Sequence, residues 1–75
     1  MEIKDVIKEL RNDKGLTQAE LANEINFSLS IINKWENGKK VPNTEAIKIL
    51  AWYFDVTTDY ILCMEDFRKT KNTTK

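Results

Sequence analysis

Residues 16–38 read LTQAELANEINFSLSIINKWENG, and two short helices with a tight link between them can be read from that string alone. Thr17 is a natural N-cap, and Glu20 three residues later can return a bond to the cap's own amide, closing a capping box. Leu16 and Leu21 stand in the hydrophobic-staple relation, and Leu21, Ala22 and Ile25 share one apolar face. Asn26 then interrupts the pattern. It is one of the few non-glycine residues that tolerate a positive φ, so a sharp turn is possible there. Ser28 caps a second helix only two residues on, with Phe27 and Ile32 as its staple pair. Ile32 and Trp35 recur on one side, and Asn37-Gly38 ends the helix. Leu29, Ser30, Ile31, Asn33 and Lys34 are left for its other faces.

Outward from this unit the same signals repeat. Upstream, Ile3, Val6, Ile7 and Leu10 follow the i, i+3, i+4, i+7 spacing of a helix from about Glu2 to Asp13, stopped by Lys14 and Gly15. Downstream, Lys39-Lys40-Val41-Pro42 is a link, and Asn43 caps a fourth helix with Glu45 against its positive end. Ile47, Leu50, Ala51 and Phe54 have buried spacing. Thr57 caps a fifth helix with Val56 and Ile61 as staple, and Tyr60, Ile61, Met64 and Phe67 extend an apolar strip. The pattern predicts an all-α domain of five helices.

With 75 residues there is room for one core, expected over residues 1–65, followed by a basic polar tail over 66–75 expected to be flexible. Two Gly and one Pro disfavour a turn-rich β fold. One Cys cannot form an intramolecular disulfide, and with no His a zinc site of Cys and His ligands is excluded. The commonest general base is missing too, so neither an enzyme, a cofactor nor a small-molecule substrate is expected. No apolar run reaches the ~18–20 residues of a membrane span and no secretory signal opens the chain, which predicts a soluble, cytoplasmic protein without a membrane partner.

Charge is neutral only in sum: twelve basic residues balance twelve acidic ones. Met1 to Glu65 carries eight basic and eleven acidic residues, net −3, whereas Asp66 to Lys75 carries four basic and one acidic, net +3. Between Ser28 and Lys48 four Lys meet two Glu, a local +2 on the second helix and its link.

Two short helices joined by a tight turn have a mechanical meaning. In such a unit the first helix crosses a DNA backbone and the second lies in the major groove. The geometry needs a small residue at the close approach, a turn residue and apolar anchors; Ala22, Asn26, and Leu21, Ile25, Phe27, Ile32 and Trp35 supply them in order. The elements LTQxELA, WExG, P-x-x-E and DYIL together resemble the Cro/cI-type (XRE, lambda-repressor-like) helix-turn-helix domain of phage repressors and related bacterial regulators, from about Ile3 to Leu62. The resemblance implies a five-helix DNA-binding domain with the helix-turn-helix at helices 2 and 3. It also implies a transcriptional regulator, most simply a repressor, acting as a homodimer on double-stranded DNA of two-fold symmetry.

Roles carried over by this resemblance fall on particular residues. Leu29, Ser30, Asn33 and Lys34 match positions that read base edges. Lys34 can donate to guanine, Asn33 can pair with adenine, Ser30 can bond to base or phosphate, and Leu29 offers a contact to a thymine methyl. Gln18, Ser28, Asn37, Lys39 and Lys40 match the phosphate grip, and Gln18 also helps orient helix 3. Arg11 and Glu36 match a structural pair bridging helix 1 to the end of helix 3, and Trp35 is expected in the core. The family often has polar residues at 29 and 31 and Gly at 26. Cys63 stands where Gly often closes helix 5, so that helix is expected to continue.

Ile49 and Trp52 fall on the outer side of helix 4 in the family pattern, and Tyr60, Met64 and Phe67 lie on the strip beyond helix 5. These five are the expected homodimer surface. A competing expectation, motivated by apolar Leu29 and Ile31 and by zero net charge, is a protein-binding subunit such as an antitoxin or anti-repressor on the same fold.

Overall fold

Each helix after the first starts on a side chain that accepts a bond from the third residue of its own helix. The computed structural model describes residues 2–63. It contains α1 (Ile3–Asp13), α2 (Gln18–Ile25), α3 (Leu29–Asn37), α4 (Thr44–Phe54) and α5 (Thr58–Ile61), with no strand among the described residues. The amides of Glu20, Ile31, Ala46 and Tyr60 donate to Thr17 Oγ1, Ser28 Oγ, Asn43 Oδ1 and Thr57 Oγ1 at 3.0, 3.1, 2.9 and 3.0 Å. The capping box at α2 is complete, since the Thr17 amide donates to Glu20 Oε1 at 2.8 Å. α1 starts at Ile3, one residue after the expected Glu2, because Glu2 is the cap and its amide donates to Asp5 Oδ2.

Left-handed residues end the segments. Gly15 and Gly38 take φ of +73° and +76°, and Asn26 takes the left-handed turn at φ 64°. Asp55 closes α4 at φ 58°, a role the sequence reading did not assign it. Gly38 is also closely approached: a Cβ there would lie 3.1 Å from Cδ of Lys4, whose flexible stem crosses the end of α3 and would have to shift by a few tenths of an ångström.

The expected continuation of helix 5 through Cys63 is incorrect. α5 stops at Ile61, Leu62 is its C-cap, and Cys63 itself turns left-handed at φ 63°. The Cys63 amide donates to Tyr60 O at 3.1 Å, so this residue closes the helix in the conformation usually given to glycine. Spacing of apolar residues could not reveal this, because Tyr60, Ile61 and Met64 suit a helix whether or not the backbone turns away. Met64, Phe67 and the basic tail lie outside the described residues.

The core takes Val6 and Ile7 from α1, Leu21, Ala22 and Ile25 from α2, Ile32 and Trp35 from α3, Ala46, Ile47, Leu50 and Ala51 from α4, and Ile61 from α5. α3 packs against both α1 and α2 and so is held from two sides, while α4 and α5 close the far side. Trp35 is buried, its ring 5.1 Å from that of Phe27, which fixes the α2–α3 turn to the core. Two expectations about outward faces need correction. Ile31 is half-buried against the core, and so is Ile49, which lies between Ala46 and Tyr53 on the helix surface and therefore borders the buried stripe.

Tyr53 ties three helices together. Its hydroxyl donates to Glu24 Oε1 at 3.2 Å, and Lys14 Nζ lies 5.3 Å from its ring centre. Burial, and then the neighbouring Glu24 carboxylate, push the phenol above its ordinary value of 10.0. A raised folded value means that stability is fully present below the ordinary value and is lost as pH rises through the folded one. Urea midpoints should therefore fall above pH ~10, and Tyr53→Phe should lessen that fall while costing about 0.5–1.5 kcal/mol at neutral pH. An equal alkaline loss in the variant would exclude this origin.

Candidate nucleic-acid interface

The turn decides what α3 can present. Asn26 reverses the chain, and the Phe27 amide donates back to Ala22 O at 2.9 Å, so α3 starts after only a three-residue link. Burying Ile32 and Trp35 commits one stripe of α3 to the core and leaves Ser30, Asn33, Lys34 and Asn37 on the opposite side. All four are exposed, as is Ser28 at the cap, and Leu29 is 51% exposed at the leading turn. Lys39 and Lys40 are exposed immediately beyond Gly38. The local positive charge anticipated between Ser28 and Lys48 is thus on an open surface.

Beneath this surface lies a buried charge. Glu36 is 2% exposed, and its carboxylate accepts from Arg11 Nε at 2.7 Å and Arg11 Nη2 at 3.0 Å. Arg11 Nη1 donates to Leu16 O at 2.6 Å, so one guanidinium joins α1, the link before α2, and α3. The bond to Glu36 raises the Arg11 pKa above its already high ordinary value, against the opposing effect of burial, so the guanidinium stays charged across the neutral range.

The same carboxylate orders the exposed face. Gln18 Nε2 donates to Glu36 Oε1 at 3.1 Å, Asn33 Nδ2 donates to Gln18 Oε1 at 3.3 Å, and Asn37 Nδ2 donates to Asn33 Oδ1 at 2.9 Å. The fold therefore brings Gln18, Asn33 and Asn37 into one chain of amides, a grouping the sequence reading missed. Only the i, i+4 spacing of Asn33 and Asn37 hinted at it. Lys4 was also missed: its stem at Gly38 sets a further cation beside the Lys39-Lys40 link.

Three of the five expected homodimer residues lie among the described ones. Trp52 is 81% exposed on α4 and Tyr60 38% exposed on α5, while Ile49 is tucked against the core. Met64 and Phe67 lie outside the described residues. Among those residues no group of three His, Cys, Asp or Glu side chains could hold a metal, and no helix is long and apolar enough to cross a membrane.

The sequence profile of the helix-turn-helix family matches residues 7–61. The chain belongs to the helix-turn-helix family. This helix-turn-helix chain is 41% identical over 66 residues to the HTH-type transcriptional activator BcrR of Enterococcus faecalis, covering 88% of this chain and 32% of that protein. It is 30% identical over 67 residues to the HTH-type transcriptional regulator ImmR of Bacillus subtilis, covering 89% of this chain and 53% of that one. It thus spans about a third of the length of the first relative and about half of the second. Its fold matches the P22 c2 repressor, solved in complex with a synthetic operator, with a TM-score of 0.79 and 25% identity, covering 85% of this chain and 97% of that chain. The lambda-repressor-like, XRE-type fold expected from the sequence is therefore present.

Proposed function

We propose that this chain is a sequence-specific transcriptional regulator that binds double-stranded DNA as a homodimer, with α3 in the major groove. The observation that carries the reading is the face of α3. Ser30, Asn33 and Lys34 are exposed on a helix gripped from behind by α1 and α2, and Leu29 leads it. Lys34 donates to guanine, Asn33 pairs with adenine, Ser30 bonds to base or phosphate, and Leu29 packs on a thymine methyl. Gln18, Ser28, Asn37, Lys39 and Lys40 hold the backbone, with the amide-lined starts of α2 and α4.

Family membership and the likeness to a repressor solved on operator DNA support this reading. Ile31 no longer favours the protein-binding alternative, since it packs against the core. Repression by covering a promoter is the simplest consequence, because it needs only occupancy of DNA. The activator named among the relatives gives a second reading, in which exposed Trp52 touches the transcription machinery. The homodimer aligns two copies of α3 about 34 Å apart, one helical turn of DNA.

Selection of bound sequences from random DNA tests the proposal. A palindromic motif with half-sites ~10 base pairs apart is expected, and Lys34→Ala together with Ser30→Ala should erase preference at their positions. Selection of no motif, or an unchanged motif in the double variant, would refute it.

A further inference from the structure

The amide chain on α3 has a direction, and a carboxylate sets it. Amides of Asn and Gln can be turned by half a rotation to swap donor and acceptor, so such chains usually have two states. Here one end is fixed. Glu36 is buried, paired with Arg11 and able only to accept, so Gln18 must turn its NH2 inward and its oxygen toward α3. Asn33 must then give its NH2 to Gln18 and keep its oxygen for Asn37, whose own NH2 is committed to it. Turning Asn33 over would set its oxygen against the oxygen of Gln18 with no hydrogen between them.

We propose that Glu36, acting through Gln18, fixes the donor–acceptor order that Asn33 presents to the groove, making Glu36, Gln18 and Asn37 positioning residues for the base pair read there. This rests on Asn33 reading DNA as described above. Two bonds leave Asn33 with one N–H and one oxygen lone pair, the complement of adenine N7 and N6–H. Guanine offers two acceptors on the same edge, so the Asn33 oxygen, held in its fixed order, would face another acceptor there. Glu36 touches no base, yet the discrimination begins with it.

The test compares the full chain with Glu36→Gln, which keeps the shape but removes the fixed direction, and with Gln18→Met, which cuts the chain without altering the ion pair. Both are first checked for helical circular dichroism and a cooperative melt. In DNA selection both should lose adenine preference at one base pair by at least about fivefold while other positions keep theirs. Should Glu36→Gln fail to fold, Gln18→Met decides. A Gln18→Met motif identical to the parent's, or an affinity loss equal for every sequence, would overturn the proposal.

An arm without DNA separates this claim from the DNA reading. In the free protein, the Asn33 side-chain NH2 pair should exchange slowly with water and show two well-separated NMR signals. In Gln18→Met it should move to the position and rate of a free amide. Identical Asn33 signals in parent and variant would end the relay even if DNA binds. If the parent selects no DNA motif, the DNA reading fails and these signals alone decide whether Asn33 is held.

Discussion

Arg11→Ala should destabilise the domain by about 3–5 kcal/mol in urea denaturation at neutral pH, because it strands a carboxylate in the interior. The Glu36 side chain is 1% exposed and would keep one donor, Gln18 Nε2, in place of three. The guanidinium also satisfies Leu16 O, so a second, part-buried acceptor loses its partner. A loss of this size is comparable to the ~5–15 kcal/mol total stability of a typical domain, and in a chain this small much of the population would unfold. Glu36→Ala should cost less, since the Arg11 side chain is 13% exposed and its charge can reach water. Replacing both residues with Met should recover most of the loss, because no charge is then left inside. A cost below about 1 kcal/mol for Arg11→Ala would mean that water, not Arg11, satisfies Glu36.

The second large effect lies in DNA binding and leaves the fold alone. Lys39 and Lys40 are exposed beyond the end of α3, so Lys39→Glu with Lys40→Glu should keep the melting temperature within a few degrees. Each phosphate contact contributes about 0.9 to the slope of log affinity against log salt. A homodimer that loses two contacts per subunit should have a slope shallower by about 3.6 and should bind roughly a thousandfold more weakly near 0.1 M salt. Repulsion between the new carboxylates and DNA adds to that loss. Gel-shift titrations at two salt concentrations measure both quantities. A slope and affinity equal to the parent's would remove these lysines from the interface and favour a protein partner instead.

Much of the fold was legible because its signals are local. Thr17, Ser28, Asn43 and Thr57 are caps whose bonds reach only three residues, and their helices start where the caps say. Asn26 and Gly38 announced left-handed turns through their own steric freedom. Periodicity was a weaker guide at the margins of a face. It left Ile31 on an outer face, as the family pattern did Ile49, whereas both border the buried stripe; and Cys63 in place of the family's Gly suggested a helix 5 that runs past the turn Cys63 in fact makes.

The site divides along the same line. That Ser30, Asn33 and Lys34 would share an outward face followed from the burial of Ile32 and Trp35, because helical geometry fixes one from the other. The link from Glu36 through Gln18 to Asn33 spans residues 18, 33 and 36, and no local rule relates them. The order of residues alone determined where each helix begins, which stripe it buries and that an amide-rich face is left over. Only packing α2 across α3, with Arg11 brought in from α1, decided that one buried carboxylate would orient that face, because hydrogen bonds between distant side chains exist only once their helices have met.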